Sequence, residues 1–120
     1  MTVQTFVKKA VRQDKRNVFE ESEEVLDLVP KELKELYLKA NPLDVEINMD
    51  GNSVKLYPMD ELESLQDDYS LDDDCFVFAT CNSDPIFLYE GKVYTCYHGS
   101  KDSEREFMED DFESFMEMID

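Results

Sequence analysis

CFVFATCNSDPIFLYEGKVYTCYH, residues Cys75 to His98, decides the fold. Three short apolar runs lie in it: Phe76 to Thr80, Ile86 to Tyr89 and Val93 to Tyr97. They are made of Phe, Val, Ile, Tyr and Thr, which suit a pleated, half-buried surface. Asn82-Ser83-Asp84-Pro85 separates the first two runs and Glu90-Gly91 the last two. Asn and Asp bond their own backbone, Pro fixes φ, and Gly takes positive φ without steric cost, so both breaks read as turns. Three strands on tight turns predict an antiparallel meander that the rest of the chain must cover.

Upstream, Val3, Phe6, Val7, Ala10 and Val11 recur at helical spacing, with Lys8, Lys9, Arg12 and Lys15 on the other face. This predicts a first helix over residues 2–16. The stretch EESEEVLDLVPKELKELYLKANP predicts a short acidic helix, then a second one opened by Pro30, where a missing N–H costs nothing. Leu33, Leu36, Tyr37 and Ala40 share a face of that second helix, and Asn41-Pro42 stops it, with Asn in the left-handed conformation. From Val45 the period becomes two. Val45, Ile47 and Met49, then Val54 and Leu56, alternate around Asp50-Gly51-Asn52-Ser53 as a hairpin. Asp60 and Glu63 resemble a capping pair for a brief helix carrying Leu62 and Leu65. An acidic link, QDDYSLDDD, leads to the meander. Beyond the meander, His98-Gly99-Ser100 turns the chain, REFM adds an edge strand, and a final helix over 110–118 buries Phe112, Phe115, Met116 and Ile119. The expected fold is α+β: a mostly antiparallel sheet of five to six strands with helices packed on one face.

The 120 residues fit one domain, of a size that buries a core unaided. The balance of 12 basic against 30 acidic residues gives a formal net charge of -18. Such a field repels nucleic acid and anionic membrane and draws basic partners, although a solvated, soluble surface accounts for the composition equally well. Cys75, Cys81 and Cys96 cannot all pair within the chain, no secretory leader is visible, and no run is long enough to span a bilayer. The expectation is a reducing, cytoplasmic setting.

No constellation reads as catalytic. Cys96-x-His98 sets a thiol and an imidazole two apart on a strand, about 7 Å, too far for a base to generate thiolate unaided. The same residues with Cys75 and Cys81 lack the short knuckle of a structural zinc site. Glu46-x-Asn48-x-Asp50-Gly51 begins like a calcium loop, but its twelfth position is Tyr57, where a bidentate Glu is needed. No phosphate loop, HExxH or Ser-centred elbow is found, so neither metal nor cofactor is expected.

Several pieces in order resemble the SUKH superfamily of Smi/Knr-type domains. They are Val29-Pro30 opening a helix that ends Leu36-Tyr37-Leu38-Lys39-Ala40-Asn41, and Phe76 to Thr80 leading into Asp84-Pro85-Ile86-Phe87. Gly91-Lys92-Val93-Tyr94 with Tyr97-His98, and Asp111-Phe112-Glu113-Ser114-Phe115, complete the set. The resemblance spans residues 22–119 of a single domain; the basic helix before residue 20 has no counterpart, and Asn41-Pro42 stands where the family has Asn-Gly. The resemblance implies an α+β fold with no shared catalytic residues. It also implies an immunity protein, not an enzyme, that binds and neutralises a cognate bacterial toxin, often one acting on nucleic acid. The expected partner is therefore a basic toxin protein, with no direct contact to nucleic acid or membrane. Asp67, Asp68, Asp72, Asp73 and Asp74, with Tyr69 as an aromatic anchor, are the expected partner-binding residues. The alternative expectation is an acidic intracellular scaffold or regulatory domain of the same family.

Overall fold

The structure is a computed structural model describing residues 1–99 and 104–120. Helix α1 spans Val3–Gln13; the Thr2 hydroxyl caps it by accepting the Thr5 N–H, and Val3, Phe6 and Ala10 are buried. It ends earlier than its periodicity suggests. Asp14 leaves the helix and its carboxylate takes both the Arg16 N–H and the guanidinium. A strand that the pattern did not show follows, β1 (Val18–Glu20).

The acidic stretch from Glu21 to Val29 is not the expected helix; it runs as turns and irregular chain. Glu20 and Glu24, and Glu23 and Asp27, would be like-charged neighbours four apart on a helix, and the residue before Pro30 is pushed towards extended backbone. Helix α2 is Lys31–Lys39, with Pro30 as its cap rather than its first turn, and it buries Leu33, Leu36 and Tyr37. It stops without a left-handed Asn: Ala40 is the cap, at φ -155°, and Asn41 passes straight into β2 (Asn41–Met49). The Asn41 side chain is used instead to accept the Met59 N–H at 2.9 Å.

β2 and β3 (Asn52–Leu56) form the expected hairpin, with Val45 opposite Leu56 and Ile47 opposite Val54. Asp50 and Gly51 turn it, both at positive φ, as a two-residue hairpin of this twist requires. A 3-10 turn, Met59–Glu61, leads into α3 (Leu62–Tyr69); Pro58 precedes the turn and neither element has a side-chain cap, so Asp60 and Glu63 do not act as one. The meander follows as β4 (Phe76–Cys81), β5 (Asp84–Tyr89) and β6 (Lys92–Thr95). Its first turn is narrower than expected. Asn82 and Ser83 make it alone, and Asp84-Pro85 already belong to β5. The expected turn at His98-Gly99-Ser100 extends into Ser100, outside the described residues. β7 (Glu106–Glu109) is the expected edge strand, and α4 (Phe112–Glu117) is capped by Asp111, whose carboxylate accepts the Ser114 N–H.

The fold is α+β. Among the described residues there are four α-helices and one antiparallel sheet whose seven strands lie side by side in chain order, somewhat more than the five to six expected. The β4–β5 register slips at Phe78, a bulge that leaves this residue without an opposite partner. Its ring meets Phe115 and Phe112 edge-on at 5.2 and 5.5 Å, which locks α4 onto the sheet. Residues from Val3 to Ile119 share one hydrophobic core.

Amide side chains finish the sheet where strands part. Asn17 donates to Ala10 O at 2.8 Å and accepts the Glu46 N–H at 2.9 Å. Gln13 bonds both backbone groups of Asn48, and Gln66 does the same for Val77, at 2.6 and 2.7 Å.

Candidate protein-interaction surface

Residues 60–74 hold eight acidic residues and no basic one. Asp67 and Asp68 occupy the last turn of α3, and Asp72, Asp73 and Asp74 the link to β4; all five are exposed. The helix ends on Ser70, at φ 51°, whose N–H bonds Gln66 O, and the link tightens where Cys75 N–H bonds Asp72 O. Asp67 and Asp68 therefore sit at the negative end of the helix dipole, where acids are unfavourable. Tyr69 is half-buried, and its hydroxyl donates to Ser83 O at 2.6 Å, tying α3 to the β4–β5 turn. Burial raises its pKa, with Tyr57 and Asp68 adding to the effect. This side chain fixes the acidic segment in place rather than projecting from it. Glu63, Asp67, Asp72, Asp73 and Phe76 border an open cleft of about 600 Å³.

A second feature was not expected. Phe87 stacks on Tyr94 at 6.1 Å, and Tyr94 meets Tyr89 and Phe107 edge-on at 6.0 and 5.9 Å. The Arg105 guanidinium lies over Tyr89 and Tyr94, 4.2 and 5.2 Å from their ring centres. The row ends on Phe107 in the edge strand, which is 56% exposed. The Glu90 carboxylate is the main cause of a raised Tyr89 pKa; Arg105 opposes it, and Asp74 contributes too, which brings the acidic link and the aromatic row into one field. The signal for this row was present in the alternation of aromatic residues through the meander and REFM, but only the register shows that they meet.

Cys96 and His98 lie in different surroundings. Cys96 is buried, whereas the imidazole is 67% exposed and its Nδ1 lies 2.9 Å from Asp84 Oδ1. The same carboxylate oxygen accepts the His98 backbone N–H at 2.8 Å. None of the three cysteines is in a disulfide, and burial followed by Asp84 raises the Cys81 thiol. Cys75 directly precedes β4 and Cys81 is its last residue, about 20 Å apart at strand rise, beyond the reach of one ion. Among the described residues, no three His, Cys, Asp or Glu side chains cluster closely enough to hold a metal. No described helix is long and apolar enough to cross a membrane.

No curated protein matches this chain. The family model described as SMI1 / KNR4 family (SUKH-1) matches residues 17–118, from the side chain of Asn17 that joins α1 to β2 through to the end of α4. With the whole sheet inside that match, the chain belongs to the SMI1/KNR4 (SUKH-1) family.

Proposed function

We propose that this protein is an immunity protein: it binds a basic toxin in the cytoplasm and neutralises it by covering its active site, making and breaking no bond. Family membership is consistent with that role. The observation that carries the reading is the run of eight acids without a basic residue over 60–74, exposed on the 3-10 turn, α3 and its link. Charge of this density steers a cationic partner and speeds encounter by orders of magnitude at low salt. A standard interface takes about 800 Å² from each partner, roughly a tenth of the 7120 Å² accessible here. The acidic segment and the neighbouring aromatic row offer the two kinds of group such an interface uses, charge at its rim and large rings at its centre.

The test is to purify the toxin domain encoded beside this gene and measure both binding and toxin activity at 50 mM NaCl. A tight complex that abolishes the toxin's activity, with an association rate falling steeply as salt rises, is the expected result. Absence of binding at low salt removes the reading.

A further inference from the structure

Besides the outer side of the three-residue strand β1, the sheet exposes backbone at three places, and two of them are closed. Along β2, past its pairing with β1, Asn17, Gln13 and the chain from Met118 to Asp120 take up the backbone groups of Glu46, Asn48 and Asp50. Where β3 leaves β4, Gln66 occupies both groups of Val77. The third place is β7, which ends the sheet and, among the described residues, pairs with β6 alone.

An unpaired edge is a template for another strand unless something discourages it. Here the discouragement is selective. Pairing β7 antiparallel with a second copy would set Glu106 opposite Glu109 of the other molecule, and like charges directly opposite are unfavourable. Two bodies of charge -18 also repel as they approach. A strand bearing cations meets the opposite situation, since Glu106 and Glu109 belong to this strand, Glu104 lies just before it and Asp110, 3.8 Å from Lys92 of β6, just after it. Phe107 stands exposed among them as an anchor. The rings beside it already hold one cation of this chain, because Arg105 stacks over Tyr89 and Tyr94.

We propose that β7 receives an extended, arginine- or lysine-bearing segment of the partner protein as an eighth strand. Backbone bonds supply the affinity, and Phe107 with the flanking carboxylates selects the side chains. This rests on the reading that the partner is a basic protein, and it names where on this chain that protein docks.

The experiment titrates the isotope-labelled full chain with a synthetic ten-residue peptide of alternating arginine and valine, in 100 mM NaCl, and follows amide shifts. The control is the same peptide with alternate backbone amides N-methylated, which keeps its charge but cannot pair as a strand. Shifts concentrated at Glu106–Glu109 and Tyr94, and binding at least about tenfold weaker for the methylated peptide, are expected. Phe107→Ala should weaken the parent peptide by about tenfold, while Phe107→Tyr retains binding. Glu106→Lys with Glu109→Lys, two surface changes, should abolish binding with the fold intact by circular dichroism. Equal binding of both peptides, or shifts centred on residues 60–74, overturns the proposal in favour of charge attraction alone. The cognate toxin separates the two readings. Equal binding of the toxin to wild type and to the double charge reversal sinks the β7 site and leaves the immunity reading standing; no binding to wild type sinks the immunity reading itself.

Discussion

Asn17 shows how single side chains decide this architecture. It is one of the few polar residues in the interior, and both ends of its amide are used: Nδ2 on the last turn of α1, Oδ1 on the Glu46 N–H of β2. Removing it orphans a carbonyl and an amide together, and each buried group left without a partner costs about 1–3 kcal/mol. Asn17→Ala should therefore lower the unfolding free energy by about 2–4 kcal/mol with an unchanged urea m-value. Asn17→Asp should rescue little, because it keeps the acceptor for Glu46 but faces the Ala10 carbonyl with a carboxylate. A loss below about 0.5 kcal/mol for Asn17→Ala would mean that water replaces the amide. Tyr37 works in the same way deeper inside, where its buried hydroxyl donates to Tyr57 O at 2.8 Å and burial raises its pKa strongly. The sequence places Tyr37 on the apolar face of its helix, but not the hydrogen bonds of either residue, since the Tyr57 carbonyl and the Glu46 N–H lie 20 and 29 residues away.

At the scale of elements, the meander and the β2–β3 hairpin were legible because alternation and two-residue turns are local signals. β1 was not, because its three residues carry no period and exist as a strand only through pairing with Asn41–Asp44. The acidic segment before Pro30 reads as a short acidic helix, yet repulsion between like charges four apart opposes one. The candidate surface divides likewise: exposed aspartates are visible in any acidic link, but the row from Phe87 to Phe107 needs the register of three strands. Helix α3 carries a prediction of its own. Acids fill its last turn and no basic residue offsets them, so the helix gives up stability where the partner is expected to bind. Asp68→Lys should raise stability by about 0.3–1 kcal/mol in thermal or urea melts. The same change should slow association with a basic partner several-fold at low salt. A variant that gains stability and binds as fast as wild type would remove α3 from the interface.

The whole molecule is electrically lopsided. Residues 1–16 hold five of the 12 basic residues and one of the 30 acidic ones, so α1 is a cationic element set against an anionic body. Arg16 already feels that body, its pKa raised first by Asp14 and further by Asp44 and Glu46. The molecule measures 35 × 32 × 23 Å. The screening length is about 30 Å at 0.01 M salt and about 10 Å at 0.1 M. In the dilute buffer every carboxylate therefore interacts with nearly every other, and at the higher concentration only neighbours do. The melting temperature at pH 7 should accordingly rise with NaCl, with most of the gain complete by about 0.2 M, where the screening length has fallen well below the molecular width. An uncharged osmolyte, which acts through exclusion from the surface, should show no such early saturation. Lys8→Glu and Arg12→Glu, both at exposed positions of α1, remove attraction and add repulsion. Their destabilisation should be largest at 0.01 M and should shrink as salt is added. A melting temperature independent of NaCl, or α1 variants whose cost is the same at every salt concentration, would show that self-repulsion is not a term in the stability of this fold.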